Sequence, residues 1–423
     1  MSEKMKYPFQ DINSGFLDYC QISGKKNMIE VIDLGDQPLS DTLLDKDDLR
    51  KPEKFYPLKI LRSPKLGHSQ LNYVVPHDEL YHLDYPYRPG ITREIVEHHT
   101  EQSKANKKKY SLKDGDLVID VGSNDGTLLK CYKNIGLNVL GVEPTNMAQV
   151  ANKDGIETIQ SPLTLEVSKE ILKKKGEAKL ITATNVFAHM GSLATVMESV
   201  INLLSDDGYF IIENHNMKDI LKHNQYDTFY HEHIRNYSFV SLKYLFEMYD
   251  LKVIDANVVE RYNGSIRVAV TKNKNQKEFC DIKKIIKDEL EFGILEESTW
   301  KNFANKISRS KEQLLNTLID LKKEGKSIVG NSCPARCSTL INYCDIGTDL
   351  IPYIAEQPTS FKLNKFLPGK KIPIIDNEIL FKEQPDYVLI LAWHLSKPII
   401  EQLKEKGLKS KFIIPLPDVH IID

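Results

Sequence analysis

Four proton-handling side chains stand in consecutive positions within the segment QYDTFYHEHIRNYS, residues 225–238. They are Tyr230, His231, Glu232 and His233. Histidine titrates near neutral pH, a carboxylate can fix its tautomer, and tyrosine can donate a hydrogen bond to an oxyanion. Such a group suits proton abstraction from a carbon atom beside a carbonyl. Consecutive side chains point in different directions on a regular backbone, so His231 is expected to face away from the shared site.

Two other interpretations of this cluster stay open. The imidazoles could be buried, paired side chains at the capped start of a helix. His231 and His233 could also bind a metal together with Glu232, although the sequence offers no evident third ligand. We therefore predict no metal site.

A glycine-rich turn lies between a predicted strand, LVIDV, and a predicted helix, TLLKCY. Glycines let a ligand approach the backbone closely, so this arrangement is typical of nucleotide binding. The turn is neither the G-x-G-x-x-G of dinucleotide enzymes nor a P-loop. The residues of this turn that we expect to contact a cofactor are Asp120, Gly122, Asn124, Asp125 and Gly126.

A second acidic residue, Glu143, ends the next predicted strand, about 20 residues after Asp120, at the spacing that suits hydrogen bonds to ribose hydroxyls. A glycine turn with a ribose acid, but without a diphosphate cradle, resembles class I S-adenosylmethionine methyltransferases. The resemblance implies S-adenosylmethionine as the cofactor, and we include Asn185 among its expected contacts.

The surrounding pattern predicts three regions. Residues 1–85 contain short apolar runs broken by Gly and Pro, which indicates a small β-rich lobe. Over 86–272, β-branched runs alternate with helical periodicity, which predicts a largely parallel sheet with a Rossmann-like methyltransferase fold. Over 273–423, long amphipathic helices and then alternating strands and helices predict a second α/β domain.

Composition narrows the class of protein further. The chain has 423 residues, 41% of them hydrophobic and 27% charged, with a formal net charge of −2. This balance predicts a globular protein without a broad attraction to nucleic acid or membrane. The polar start MSEKMKYPFQ predicts no secretory signal, and no apolar run is long enough to span a bilayer. Six scattered cysteines without a disulfide framework favour the cytoplasm.

Several segments together carry a more specific resemblance. DVGSNDGTLL, ITATNVFAHM, YDTFYHEH, NGSIRV and PDYVLILAW are similar to sugar 3-C-methyltransferases over nearly the whole chain. Members of that family methylate carbon 3 of nucleotide-linked 4-keto sugars. The resemblance implies a zinc-binding N-terminal lobe, a central methyltransferase domain and a C-terminal α/β domain, with the sugar nucleotide bound between domains.

The resemblance also implies roles in catalysis. His233 would remove the proton from C3, while Glu232 and Tyr230 would orient this base and stabilise the enolate. The enolate would then attack the methyl group of the sulfonium.

Further contacts to the keto sugar are implied for residues elsewhere in the chain. His189, in NVFAHM, would face the sugar, and Tyr85 or Tyr87, in the aromatic linker YHLDYPYRPG, would cover the same site. We interpret Arg267, in GSIR, as structural.

The N-terminal lobe departs from the family pattern of two C-x-x-C pairs. The corresponding stretches run from Cys20 to Ser23 and from Ser63 to Leu66, so three of the four thiolates are missing. One cysteine cannot hold zinc, and we predict that the lobe folds without metal. Substitution by the nearby His68 is the less favoured alternative.

The predicted substrate site departs as well. His215 and Asn216 stand after the fifth strand of the central domain, where the family usually carries apolar residues or Tyr. They suggest an altered sugar or base, and His215 could enter the proton chemistry. Arg336, Lys362 and Lys365 are candidates for the diphosphate, with a solvated basic face as the alternative.

We therefore predict a methyltransferase that takes a nucleotide-diphosphate 4-keto sugar and S-adenosylmethionine, as a monomer or homodimer. One alternative is a keto-sugar epimerase that forms the same enolate without methyl transfer. Another is a non-catalytic S-adenosylmethionine-binding protein.

Overall fold

The computed structural model describes residues 11–81, 90, 93–259 and 263–423. Tyr85 and Tyr87, predicted to cover the substrate, lie outside the described residues. Within the described part of the chain, no helix is long and apolar enough to cross a membrane.

The N-terminal lobe is built from short antiparallel strands. Its elements are β1 (Gly15–Phe16), β2 (Ile29–Pro38), β3 (Phe55–Arg62), β4 (Ser69–Leu71), β5 (Tyr73–Val74) and α1 (His77–Leu80). Strand β1 pairs with β5, and β2, β3 and β4 pair in that order in a second sheet. This second sheet gains a fourth strand from the central region, described next.

The central region alternates strands and helices. Its elements are α2 (Arg93–Lys109), β6 (Leu117–Val121), α3 (Thr127–Lys133), β7 (Asn138–Val142), α4 (Met147–Lys153), β8 (Thr158–Ile159), α5 (Leu165–Lys175), β9 (Ala178–Thr184), α6 (Leu193–Leu203), β10 (Leu204–His215), α7 (Met217–Lys222), β11 (Arg235–Asn236), α8 (Phe239–Met248), β12 (Lys252–Val259) and β13 (Ser265–Thr271). Strand β11 leaves this region and pairs with β4 of the N-terminal lobe.

The central sheet has seven strands in the order β12-β13-β10-β9-β6-β7-β8. Strands β10, β9, β6, β7 and β8 pair in parallel, whereas β13 runs antiparallel to both of its neighbours. The chain order reverses beside β6, so the carboxyl ends of β6 and β9 flank a crevice. Open α/β sheets bind ligands at such a crevice.

The C-terminal region forms a second, mostly parallel sheet. Its elements are α9 (Ile282–Phe292), α10 (Glu297–Lys323), β14 (Ile328–Asn331), α11 (Cys337–Tyr343), β15 (Ile354–Glu356), β16 (Ile374–Asp376), α12 (Glu378–Glu383), β17 (Tyr387–Ile390), α13 (Ser396–Glu405), β18 (Lys411–Ile414) and β19 (His420–Ile422). The strand order is β16-β15-β14-β17-β18-β19, with only the β18–β19 pair antiparallel.

Apolar packing joins the C-terminal region to the N-terminal lobe. The long helix α10 buries Trp300, Phe303 and Ile307 at the three- and four-residue spacing of an amphipathic helix. These side chains share one core with Leu58 and Ile60, which lie on the same face of β3. Tyr226 and Phe229 of the site segment 225–238 belong to the same core, so this segment is anchored to both regions.

The predicted fold class is confirmed: a Rossmann-like central domain, a small β-rich N-terminal lobe and a second α/β domain. The boundaries at 85/86 and 272/273 stay predictions, because β11 lies within the central stretch but completes the N-terminal sheet.

Candidate active site

The turn after β6 requires glycine at two positions. Gly122 has a φ of +71°, and a Cβ there would lie 2.7 Å from Val186 Cγ1. Gly126 has a φ of +76°, and a Cβ there would lie 3.0 Å from Ile156 Cγ2. The turn therefore passes close to the loop that follows β9, where a larger residue at 122 would fill the space.

Glu143, just after β7, is joined to this turn. One of its carboxylate oxygens accepts a hydrogen bond from the Asn124 amide at 2.9 Å. The other accepts from the backbone amide and the hydroxyl of Thr145, at 2.8 and 2.6 Å. The predicted ribose acid and the predicted glycine turn thus lie together at the carboxyl edge of the sheet.

Two further carboxylates belong to the turn. Asp120 is buried and accepts a hydrogen bond from Thr182 Oγ1 at 2.6 Å. Burial raises the pKa of Asp120 to about 7, although the Thr182 hydroxyl opposes the rise. Asp125 accepts hydrogen bonds from the amide and hydroxyl of Thr127 and from the amide of Gly90. Asp125 therefore shapes the turn and the start of α3.

Unpaired polar atoms beside the turn indicate where a ligand fits. Asn185, at φ +57°, follows β9, and its amide donates to the Glu213 carbonyl at 2.8 Å. Within the described part of the chain, the buried Asn185 Oδ1 and Ser123 Oγ have no hydrogen-bond partner. Buried polar atoms are normally satisfied, so these two atoms fit a bound polar cofactor at this crevice.

His233 is held in one tautomer. Its Nδ1 donates to the Thr228 carbonyl at 2.7 Å, so Nε2 carries the lone pair. The Tyr230 hydroxyl lies 3.1 Å from Nε2 and donates to it. Burial lowers the pKa of His233 to about 4, which keeps the ring neutral at pH 7. The ring therefore presents an unprotonated nitrogen towards Tyr230.

Two other imidazoles flank His233 above the ends of β9 and β10. The His189 ring is centred 4.8 Å from that of His233, and the His215 ring 5.2 Å. Burial lowers the pKa of both flanking rings well below 6.5, and the neighbouring His233 adds to the effect. The cluster is thus a group of neutral imidazoles at neutral pH.

Glu232 reaches the same cluster through His189. Its Oε2 lies 3.6 Å from His189 Nδ1, which also lies 2.9 Å from the Tyr81 hydroxyl. His231 turns away, as expected, and its Nε2 donates to the Tyr56 carbonyl at 3.2 Å. The segment therefore sends residues 230, 232 and 233 to one site and residue 231 to the N-terminal lobe.

The structure gives Asn216 a local contact rather than an open amide. Its Oδ1 accepts from the Lys218 amide at 3.3 Å, and its Nδ2 donates to Asp219 at 2.9 Å. Both ends of the amide are engaged at the start of α7.

Arg267 has a structural contact, as interpreted from the sequence. It pairs with the buried Glu213 and, together with His98, lowers the pKa of that carboxyl to about 2 despite burial.

Each of the three predicted diphosphate contacts is paired with a carboxylate. Arg336 is buried and makes a bidentate pair with Asp227, as developed below. Lys362 Nζ donates to the Cys333 carbonyl at 2.8 Å and lies 3.4 Å from Asp41. Lys365 Nζ lies 2.6 Å from Asp45, with 35% of its side chain exposed. Lys365 is the most accessible of the three to a ligand.

Sequence reasoning missed several residues of the site. Tyr81, whose hydroxyl contacts His189, begins the aromatic linker, whereas the sequence pattern favours Tyr85 and Tyr87. Asp227 and Thr228 precede the four-residue cluster in the same segment, and their carboxylate and carbonyl both serve the site. The partners of Tyr81 and Asp227, which are His189 and Arg336, lie more than 100 positions away in the chain, whereas Thr228 acts through its backbone carbonyl, which its residue type does not reveal.

In the described part of the N-terminal lobe, Cys20 and His68 are the residues at the predicted zinc positions that come together. Cys20 Sγ lies 3.6 Å from His68 Nε2, and Ser23, Ser63 and Leu66 hold the other positions of the two pairs. Burial would raise the pKa of the Cys20 thiol, but the charge and hydrogen bond of His68 lower it to about 6. No group of three or more His, Cys, Asp or Glu side chains in the described part of the chain could hold a metal.

The parallel sheet with an antiparallel β13, the glycine turn and the acid after β7 define a methyltransferase that uses S-adenosylmethionine. Family models agree: a methyltransferase domain matches residues 95–256, a C-methyltransferase C-terminal domain matches 261–417, and a putative zinc binding domain matches 20–81. The predicted cofactor is thereby confirmed.

The relatives narrow this class. The chain is 33% identical over 411 residues to C-methyltransferase NovU from Streptomyces niveus, covering 96% of this chain and 97% of that protein. It belongs to the C-methyltransferase family, which confirms the resemblance seen in the sequence.

Other similarities are partial. Sphingolipid C9-methyltransferase A from Emericella nidulans is 31% identical over 142 residues, 30% of this chain and 27% of that protein. Magnesium protoporphyrin IX methyltransferase (ChlM) from Synechocystis PCC 6803 with bound SAM aligns at a TM-score of 0.31 and 12% identity, covering 43% of this chain and 79% of that one.

Proposed function

We propose that this C-methyltransferase acts on a nucleotide-linked 4-keto sugar in the cytoplasm. It removes the proton from C3 and methylates the resulting enolate, giving a branched sugar. The observation that carries the proposal is the neutral His233 ring, whose basic Nε2 lies among Tyr230, His189 and Glu232 near the carboxyl edge of the sheet.

His233 acts as the base. Because Nδ1 is committed to the Thr228 carbonyl, only Nε2 can take a proton from carbon. The Tyr230 hydroxyl donates to Nε2 at 3.1 Å, so the C3–H bond of the sugar replaces this contact when substrate binds. The electron pair of the C–H bond becomes the C3–C4 double bond, and the negative charge moves to the keto oxygen.

The groups around His233 stabilise that charge. The Tyr230 phenol, released from Nε2, donates a hydrogen bond to the developing oxyanion, and His189 lies close enough to the same ring to contact the sugar. Burial makes an isolated imidazolium unfavourable, as the pKa of about 4 for His233 indicates. The imidazolium forms here beside an enolate, and the two opposite charges stabilise each other in a site of low polarity.

The residues at the crevice beside β6 would hold the cofactor. Gly122 leaves room for close approach, Glu143 has the position of the ribose acid, and Asn185 Oδ1 is available as a hydrogen-bond acceptor. S-adenosylmethionine supplies an electrophilic methyl group when it is bound. The chain's own contribution is to place the carbon nucleophile beside it and to exclude water.

A residue that departs from the family pattern, His215, is placed where it could affect which sugar binds. His215 lies against His233 and therefore borders the same space, where a family member usually has an apolar residue or Tyr. The sugar nucleotide would lie between the central and C-terminal domains, with its diphosphate near Lys365 and Lys362.

The test is incubation with S-adenosylmethionine and a panel of 4-keto sugars linked to different nucleotides, followed by mass spectrometry. A mass gain of one methylene together with S-adenosylhomocysteine supports the proposal. Deuterium uptake from solvent without methylation would favour the epimerase. No reaction across the panel, from protein that still binds S-adenosylmethionine, would contradict the sugar assignment.

A matched pair of histidine variants sharpens the result. His233→Asn should abolish both deuterium uptake and methylation, because it removes the imidazole whose unprotonated Nε2 accepts the proton in this mechanism. His420→Asn, at the exposed strand β19, should leave both unchanged. Equal loss in the two variants would contradict the assignment of the base.

A further inference from the structure

The C-terminal domain forms several hydrogen bonds to the segment that carries the base, His233. Asp227 is fully buried, and its carboxylate accepts hydrogen bonds from Arg336 Nε at 2.8 Å, Arg336 Nη2 at 2.6 Å and Trp393 Nε1 at 2.7 Å. The Arg336 guanidinium also lies 5.1 Å from the centre of the Trp393 ring. These charge-assisted, bidentate contacts allow little freedom to residue 227.

The neighbours of Asp227 are held in the same way. Arg336 Nη2 donates to Gln225 Oε1 at 3.3 Å, and the Tyr226 hydroxyl lies 3.3 Å from Cys344 Sγ. Thr339 Oγ1 donates to the carbonyl of residue 229 at 2.8 Å. Residues 225, 226, 227 and 229 are therefore each hydrogen-bonded to the C-terminal domain.

Residue 228, between them, serves the base instead. The Thr228 carbonyl accepts the Nδ1 proton of His233 at 2.7 Å, and its hydroxyl lies 3.3 Å from the same nitrogen. The position of this carbonyl decides which nitrogen of His233 is protonated and where Nε2 points. It follows directly from the position of residues 227 and 229.

We infer that Arg336 and Trp393 are positioning residues for catalysis: they fix Asp227, and with it the carbonyl that sets the tautomer and direction of His233. This inference rests on the proposed function, in which His233 is the base. It assigns Arg336 a role within the protein, because its Nε and Nη2 both donate to Asp227; a diphosphate contact, as predicted, would be left to the remaining nitrogen, Nη1.

The charge of Arg336 acts in the same direction. Burial is the main cause of the low pKa of His233, and the nearby guanidinium lowers it further. A neutral base is thus maintained by both the position and the charge of the Arg336 side chain.

Removing the whole Arg336 side chain would leave Asp227 as an uncompensated buried charge and unfold the region, so milder variants are needed.

Trp393→Phe is the first test, with Trp300→Phe as its control. The variant removes one of the three donors to Asp227 and keeps an aromatic face for Arg336. Trp300 is equally buried, and its Nε1 donates to the Ile294 carbonyl at 2.8 Å, outside this network. Trp393→Phe should lower kcat for methyl transfer about 10- to 100-fold with KM for the sugar nucleotide little changed, because small displacements of a reacting group cost about this much.

Two kinetic results would overturn the inference. A raised KM with unchanged kcat would make this region a substrate contact rather than a positioning device. An equal fall in kcat for Trp300→Phe would make the effect one of general stability.

A measurement without substrate separates this inference from the proposed function. Nitrogen-15 NMR of histidine-labelled protein, with the His233 signal assigned by its loss in His233→Asn, reports tautomer and pKa directly. Trp393→Phe and Thr339→Val should both reduce the population protonated at Nδ1, whatever substrate the enzyme takes. An unchanged tautomer and pKa in both variants would refute the positioning role even if methyl transfer to keto sugars is observed.

Discussion

Replacing Asp120 by asparagine should make the stability of the free protein much less sensitive to pH. Asp120 is buried at the end of β6, and burial raises its pKa from 3.8 to about 7. Between these values the folded state holds a proton that the unfolded state has lost. The free energy of unfolding of the wild type therefore falls as the pH rises through this range.

The size of the effect follows from the shift. A full pH unit between the two pKa values contributes about 1.36 kcal/mol, and the slope halves at the folded pKa, so the wild type loses about 2 kcal/mol between pH 5 and pH 7 through this one group. Asparagine has no proton to lose, and its Oδ1 can still accept the hydrogen bond from Thr182. The free energy of unfolding of the variant minus that of the wild type should therefore be about 3 kcal/mol larger at pH 8 than at pH 5, and most of this change should be complete by pH 7.

Urea unfolding of both proteins without cofactor, at pH 5 and at pH 8, measures this difference. At an m-value of about 3 kcal/mol/M, the relative midpoint should move by about 1 M. Taking the difference between variant and wild type cancels the other titrating groups. Asp154→Asn, at an exposed position, is the control and should change the free energy by less than about 0.5 kcal/mol. A difference between Asp120→Asn and wild type that is the same at both pH values would refute the reasoning.

Three further predictions concern other parts of the molecule. Tyr230→Phe should lower kcat for methyl transfer about 10- to 1000-fold, because it removes the donor to the enolate. Calorimetry should show that the variant still binds S-adenosylmethionine as the wild type does. An unchanged kcat would remove Tyr230 from the mechanism. His231→Gln should make the protein more resistant to unfolding by acid. Burial lowers the pKa of His231 to about 4, so the free energy of unfolding of the wild type falls by about 2 kcal/mol between pH 7 and pH 5, and the variant does not lose this amount. The same difference between variant and wild type in urea unfolding at both pH values would contradict this prediction. Purified protein should contain far less than one zinc per chain by elemental analysis, because among the described residues of the lobe only Cys20 and His68 meet as possible ligands. Stoichiometric zinc would show that other ligands complete the site.

Local patterns predicted the central domain well. The run LVIDV forms β6, and the following turn adopts the positive φ values that its glycines allow. Glu143 could be placed because it ends the next strand of the same sheet. The short edge strands could not be predicted from the sequence. Strands β16 and β19 have three residues each, which is too few for an alternating pattern of apolar and polar residues to be recognised.

The parts of the site that sequence reasoning did not predict depend on contacts between distant segments. Asp227 and Arg336 are separated by 109 positions, and Tyr81 and His189 by 108. Either charge of the first pair could equally well belong to a solvated surface or to a ligand site. Only the packing of the C-terminal domain onto the segment 225–229 decides between them.

The pairing of β11 with β4 constrains how this chain can be built and divided. The N-terminal sheet acquires its last strand only when residues 235 and 236 have left the ribosome, two residues after His233. A fragment ending near residue 85 would leave β4 without this neighbour and with unpaired backbone groups at the sheet edge. The complete sheet of the lobe therefore includes the end of the proton-handling segment, and an engineer who wishes to exchange the lobe should carry that segment along with it.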